Sequence, residues 1–174
     1  MKGAYVLASA ALLLPAAALL TYYAYPEPPI PTATRIDRLV VFKAQRRMEA
    51  YANGRLVKTY SIALGRQPVG RKRFEGDMKT PEGVYTIFDK NPNSNFHKNL
   101  GVSYPNAADQ DYAASWGQSP GGLIKIHGLR NRRGYVGKFH RWRDWTHGCI
   151  AVTNAEIDEL YEAVAIGTII DIRP

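Results

Sequence analysis

From residue 36 onward the chain carries its apolar side chains in short runs broken by Gly, Pro and Asn. That pattern suits strands and leaves little room for long helices. Leu39-Val40-Val41-Phe42 marks a strand over 38–43. Met48–Ala52 and Leu56–Leu64 flank Asn53-Gly54, a pair that tolerates positive φ at both turn positions and predicts a hairpin. Val84–Phe88, Leu123–Ile126 and Thr168–Ile172 are further strands, the first entered from the turn cluster at 76–83. One helix is expected to start near Asn154. Thr153 and Glu156 form a capping-box pair, and Ile157, Leu160, Tyr161 and Val164 recur at helical spacing. A shorter helix over 107–115 follows Asn106 as its cap. The rest of the stretch from Asp89 to Gly122 reads as a long Asn-, Tyr- and Gly-rich connection, of the kind that serves as a lid or a substrate-binding loop. The fold expected is mainly β.

The N-terminus sets the compartment. Gly3 to Pro26 contains no charged residue, and Lys2 adds a short positive flank. Residues 1–25 therefore read as a signal peptide or a single-pass membrane anchor. Residues 26–35, beginning Pro26-Glu27-Pro28-Pro29-Ile30-Pro31, form a stiff Pro-rich linker. The remaining stretch, 36–174, is about 140 residues, enough for one domain with its own core. The chain is expected to be extracytoplasmic, in the periplasm or cell wall, tethered to the inner membrane by its N-terminal segment or secreted.

Export changes the meaning of the charge. The net charge of +8 would suit nucleic acid in a cytoplasmic protein, but an exported chain is expected to meet no nucleic acid. The basic clusters at 66–73 and 130–143 suit an anionic extracytoplasmic polymer or anionic lipid instead.

Export also sharpens the one cysteine. Cysteines outside the cytoplasm are usually paired, and Cys149 has no second cysteine to pair with. It lies in Trp145-Thr146-His147-Gly148-Cys149-Ile150, with His127-Gly128 upstream at the end of an expected strand. A thiol with histidines at hand is the pattern of a cysteine nucleophile, since an imidazole promotes the thiolate that attacks.

Ile126-His127-Gly128, Thr146-His147-Gly148-Cys149-Ile150, Asn154 and Leu160 together resemble the signature of the L,D-transpeptidase (YkuD-like) catalytic-domain family. The segment 76–83, Ser103-Tyr104-Pro105-Asn106 and the ending Gly167–Ile172 are similar to it too, so the resemblance covers 36–174. It implies a YkuD-like β-sandwich or barrel with one or two short helices, following the N-terminal hydrophobic anchor. It also implies a cell-wall enzyme acting on the tetrapeptide stems of peptidoglycan, in crosslinking or remodelling, with no metal or organic cofactor. Cys149 would be the nucleophile that forms a thioester and His127 the proton donor and acceptor. His147 would support the site, and the backbone around Gly148 would meet the oxyanion. Candidates to bind the substrate are Tyr104, Arg130, Arg141, Arg143 and Trp145.

Thr146 replaces the commoner serine, and Ala151 stands where many members carry arginine or asparagine. The loss at 151 leaves the carboxylates of the stem to Arg130, Arg141 or Arg143. Asp144-Trp145-Thr146 before Gly148-Cys149 resembles a Trp-Thr-x-Gly-Cys subgroup with members that hydrolyse wall-linked amides rather than crosslink. Two rivals remain. His127, His140, His147 and Cys149 are the ligand types of a zinc hydrolase, without a compact zinc spacing. A wall-binding module with a dead site would use the basic clusters and aromatic residues alone.

Overall fold

In the computed structural model, which describes residues 15–174, the short apolar runs form eight strands. These are β1 (Ile36–Phe42), β2 (Arg47–Ala52), β3 (Arg55–Ser61), β4 (Gly83–Ser94), β5 (His97–Val102), β6 (Lys125–His127), β7 (Ile150–Ala151) and β8 (Val164–Arg173). Within residues 36–174 the helices are α1 (Ala107–Ser115) and α2 (Asn154–Ala163), and a 3₁₀ segment spans Gly134–Trp142. One sheet runs in the order β3-β2-β1-β8-β4-β5-β6-β7.

The β2–β3 hairpin turns at Asn53-Gly54, with φ of 50° and 72°, the two positive values that its two-residue turn demands. The chain leaving β3 then reaches the far edge of the sheet. Ala63 bridges to Ala151 and Gly65 to Thr146, so the β7 edge joins back to the end of β3 and the sheet curls into a half-barrel. Ile36, Leu39, Met48, Tyr60, Ile87, Leu100, Ile126, Ile150 and Ile170 fill its interior, with Ile157 and Leu160 of α2 closing one side. Both helices begin on capping boxes, Asn106 with Asp109 and Thr153 with Glu156.

The expected connection from Asp89 onward is corrected by the structure. Its first part is the β4–β5 hairpin, with Lys90 opposite Leu100 and Asn91 opposite Asn99. Asn and Lys are poor strand formers and signal no apolar face. Asn91 and Asn99 border a cleft, while Lys90 bonds to the Tyr161 and Val164 carbonyls.

The expected anchor over 1–25 falls largely outside the described residues. Residues 15–24 are helical, and no described helix is long and apolar enough to cross a membrane. The Pro-rich linker does not stand free of the domain. Glu27 accepts two bonds from Arg141, at 2.8 and 3.1 Å, and Glu159 Oε2 accepts from the Ile30 N–H at 2.8 Å. The Arg141 guanidinium holds the Glu27 carboxyl down at about 2.

Candidate active site

Two parallel strand ends bring His127 and Cys149 to one side of the sheet. Ile126 pairs with Ile150 and His127 with Ala151, and both isoleucines are fully buried in the core. Because side chains alternate along a strand, His127 and Cys149 share the opposite face as diagonal neighbours. Both line a cleft of about 960 Å³.

Three side chains set the two turns that carry them. Asp144 accepts from the Leu64 N–H at 2.8 Å and from Arg46 at 2.9 and 2.7 Å, which fixes the loop to the sheet before Trp145. Thr146 Oγ1 accepts from the Gly148 N–H at 3.1 Å and donates to the Cys149 carbonyl at 2.8 Å. Asn154 Oδ1 accepts from the Leu129 N–H at 2.8 Å, tying the His127-Gly128 turn to the start of α2.

Gly148 cannot be another residue. Its φ is 129°, and a Cβ there would stand 2.6 Å from the Lys79 carbonyl oxygen. Gly148→Ala is expected to destabilise the fold by about 2–4 kcal/mol and to displace the cysteine. A urea midpoint and a thiol-labelling rate check both effects. The Gly148 N–H is bonded to Thr146 Oγ1 at 3.1 Å, so within the backbone around Gly148 the oxyanion role falls to its neighbours, such as the Cys149 N–H.

His127 is 5% exposed, and its Nδ1 lies 2.7 Å from the Gly128 carbonyl. A carbonyl only accepts, so Nδ1 carries the proton and Nε2 keeps its lone pair. Burial pushes this imidazole down to about 4, leaving it neutral at pH 7. Burial also pushes the Cys149 thiol up, against the opposing pull of the Lys125 amide and ammonium. At rest the pair is a neutral thiol and a neutral base. Cys149 Sγ donates weakly to the Leu123 carbonyl at 3.6 Å.

The cleft is one-sided in charge. Arg66, Lys125, Arg130, Arg133 and Arg143 line it, no carboxylate does, and none of the five forms an ion pair among the described residues. Asn91, Asn93, Asn95 and Asn99 form an uncharged wall.

The expected residues divide accordingly. Cys149, His127, His147, Trp145, Arg130 and Arg143 line the cleft, with His147 exposed. Arg141 does not line it. Its side chain is 6% exposed and clasped between Glu27 and Glu156. Tyr104 does not line it either, being packed against Tyr85 and donating to the Pro120 carbonyl at 2.9 Å. Arg66 and Arg133 fall in the two basic clusters noted in the sequence without being singled out there, and Phe96 and the asparagine wall were missed. Among the described residues no group of three or more His, Cys, Asp or Glu is placed to hold a metal ion, so the four residues of the zinc reading do not assemble into a ligand set.

A family model described as the L,D-transpeptidase catalytic domain (YkuD) matches residues 36–172. The chain is 28% identical over 131 residues to YafK of Escherichia coli K12, named as a candidate L,D-transpeptidase, covering 71% of this chain and 45% of YafK. Among solved structures, the helical cell shape determining protein Pgp2 of Campylobacter jejuni superposes with a TM-score of 0.60 at 25% identity, over 81% of this chain and 48% of Pgp2. An L,D-transpeptidase of Mycobacterium smegmatis shares the fold at a TM-score of 0.52 and 14% identity, over 78% of this chain and 58% of that one. The chain thus spans about half the length of YafK and Pgp2.

Proposed function

The chain belongs to the L,D-transpeptidase catalytic-domain family, and from that premise we propose that it is a cysteine acyltransferase of peptidoglycan stem peptides. Membership makes its function peptidoglycan-related. The observation that carries the finer reading is the pairing of the one free thiol with a buried, tautomer-fixed imidazole in a cationic cleft.

In this mechanism the Cys149 sulfur attacks the carbonyl joining the third, diamino residue of a tetrapeptide stem to its terminal D-alanine. His127 Nε2 takes the thiol proton as the C–S bond forms. The negative oxygen is met by backbone donors beside Cys149, each worth about 2.7–4 kcal/mol in the transition state. The C–N bond then breaks, and the proton on His127 passes to the departing amine of D-alanine. The thioester that remains is opened by an amine of a neighbouring stem, which makes a crosslink, or by water, which makes a tripeptide. The Gly128 carbonyl keeps His127 Nδ1 protonated throughout, so Nε2 alone exchanges the proton.

The unpaired cations support an anionic substrate. Ala151 is fully buried in β7 beside His127, leaving no space there for a long cationic side chain. Arg130 and Arg143, joined by Arg66 and Arg133, offer bidentate partners for stem carboxylates in its place.

Hydrolysis is the second reading, favoured by the Trp145-Thr146-His147-Gly148-Cys149 sequence. The similarity to Pgp2 supports a part in cell shape under either reading. Residues 1–25 would tether the domain to the membrane or direct its secretion.

Intact-mass analysis of the full chain with a disaccharide-tetrapeptide tests this. An adduct of stem mass less D-alanine is expected on the wild type and not on Cys149→Ala. Crosslinked dimer among the products identifies a transferase, and tripeptide alone a hydrolase. No adduct and no product with any muropeptide would leave the domain as a binding module.

A further inference from the structure

A third imidazole lies in the same cleft and takes no part in these steps. His140, on the 3₁₀ segment, is 6% exposed and lines the cleft. Trp145 Nε1 lies 3.4 Å from its Nδ1. An indole N–H only donates, so His140 Nδ1 must hold a lone pair and its proton must sit on Nε2. That Nε2 is buried and has no partner among the described residues. Leaving a buried N–H unsatisfied is unfavourable, and the Trp145 bond is the one polar contact of the ring to set against it.

Trp145 in turn faces the reacting histidine. Its ring stands edge-on to His127, with centroids 5.6 Å apart at 70°. Phe96 packs on His127 at 4.7 Å and stacks with Trp145 at 6.0 Å. His127 thus sits in an aromatic box with Trp145 as one wall, and His140 supplies the polar bond that fixes the turn of that wall. Among the described residues His140 alone accepts from the indole N–H.

We propose that His140 is a positioning residue: as a neutral acceptor it pins Trp145, and Trp145 with Phe96 holds the His127 ring in the orientation that receives the Cys149 proton. The inference rests on the reading of His127 as the proton carrier. It assigns the indole N–H of Trp145 to the pin rather than to the substrate.

The test compares His140→Asn, His140→Leu and Trp145→Phe in the full chain. An asparagine carbonyl can accept the indole N–H where Nδ1 did, whereas leucine cannot. Trp145→Phe keeps an aromatic wall and removes the donor. His140→Leu and Trp145→Phe are expected to lower kcat by about tenfold to a hundredfold, as a misplaced catalytic group does, with little change in KM. His140→Asn is expected to stay within about threefold of wild type by the same reasoning.

A pH profile separates positioning from mere packing. Burial is the main cause of the depressed His127 value, with Lys125 acting in the same direction and the Gly128 carbonyl against it. A loosened box admits water, so the acid limb of kcat/KM should move upward in His140→Leu and Trp145→Phe and stay in place in His140→Asn. An NMR titration of the His127 ring reads the same change without turnover.

Wild-type kcat and an unmoved acid limb in His140→Leu would overturn the proposal. Equal losses in His140→Leu and His140→Asn would overturn it too, because ring volume alone would then matter. If the wild type itself forms no adduct, the functional reading fails separately. The NMR titration then decides the pin, and an unmoved His127 value in His140→Leu sinks it.

Discussion

Cys149→Ala is expected to abolish the proposed acyl transfer and to leave the fold standing. The substitution removes one sulfur whose polar partners are the Leu123 carbonyl, weakly bonded at 3.6 Å, and the Lys125 amide, so the loss of stability should not exceed about 1–2 kcal/mol. Removal of a nucleophile typically lowers kcat by factors of about 10⁴ to 10⁶. The two effects differ enough to be read on one sample, by thermal unfolding and by adduct mass. Cys149→Ser should fail almost as completely, since a neutral imidazole with a low pKa is a weak base for a hydroxyl. The free protein should also alkylate as a partly exposed thiol that rests protonated. With Cys149 raised above its usual 9.0 and His127 held near 4, iodoacetamide labelling should climb through the alkaline range without a plateau between pH 5 and 7. A plateau there would mean a resting thiolate–imidazolium pair in place of the neutral thiol and neutral base.

Acid should unfold this domain earlier than its carboxylates would. His127 and His140 are both depressed from 6.5 to about 4, chiefly by burial. A group whose folded pKa lies below its unfolded one binds its proton more readily in the unfolded chain. The stability tied to these rings is therefore complete above about 6.5 and drains away as pH falls through 4. Each tenfold loss of proton affinity on folding corresponds to about 1.4 kcal/mol, so the two rings together are worth about 7 kcal/mol at most. That is comparable to the whole stability of many domains. Glu156 works against this loss, because burial raises its carboxyl and protonation relieves it. Glu27 and Asp77, both lowered, add their losses at more acid pH. Urea midpoints at pH 7, 5.5 and 4 check the expectation. His140→Leu should remove at least half of the fall, since it deletes one ring and rehydrates the other. Equal midpoints at pH 7 and pH 4 would show that the histidines are not held neutral by the fold.

Local signals account for what could be read without the structure. Asn53-Gly54 announced its hairpin because positive φ at consecutive residues is a property of the residues themselves. The caps of both helices are pairs three residues apart, complete in the sequence. The family signature around His127 and Cys149 was legible for the same reason, as was the strand leading into His127. The distal part of the β4–β5 hairpin was not, because Asn91, Asn93 and Asn99 answer to a cleft rather than to a core. Asn91 and Asn93 lie on β4 and Asn95 in the turn that follows, and no run of apolar residues marks this stretch as strand.

The sequence by itself therefore determined the strand-rich class, the hairpin, the two capped helices and the thiol with its upstream histidine, all of them consequences of residues near one another along the chain. Tertiary structure alone decided which of the chain's cations line the cleft. It sent Arg141 to Glu27 and Glu156, took Tyr104 to the core, and left Arg66 and Arg133 lining the cleft with no ion pair among the described residues. It also decided the protonation of the site, because the low value of His127, the raised value of Cys149 and the pin from Trp145 to His140 all depend on what the curled sheet buries. A side chain's charge state follows from the water and dipoles around it, and those are contributed by segments far apart in the chain.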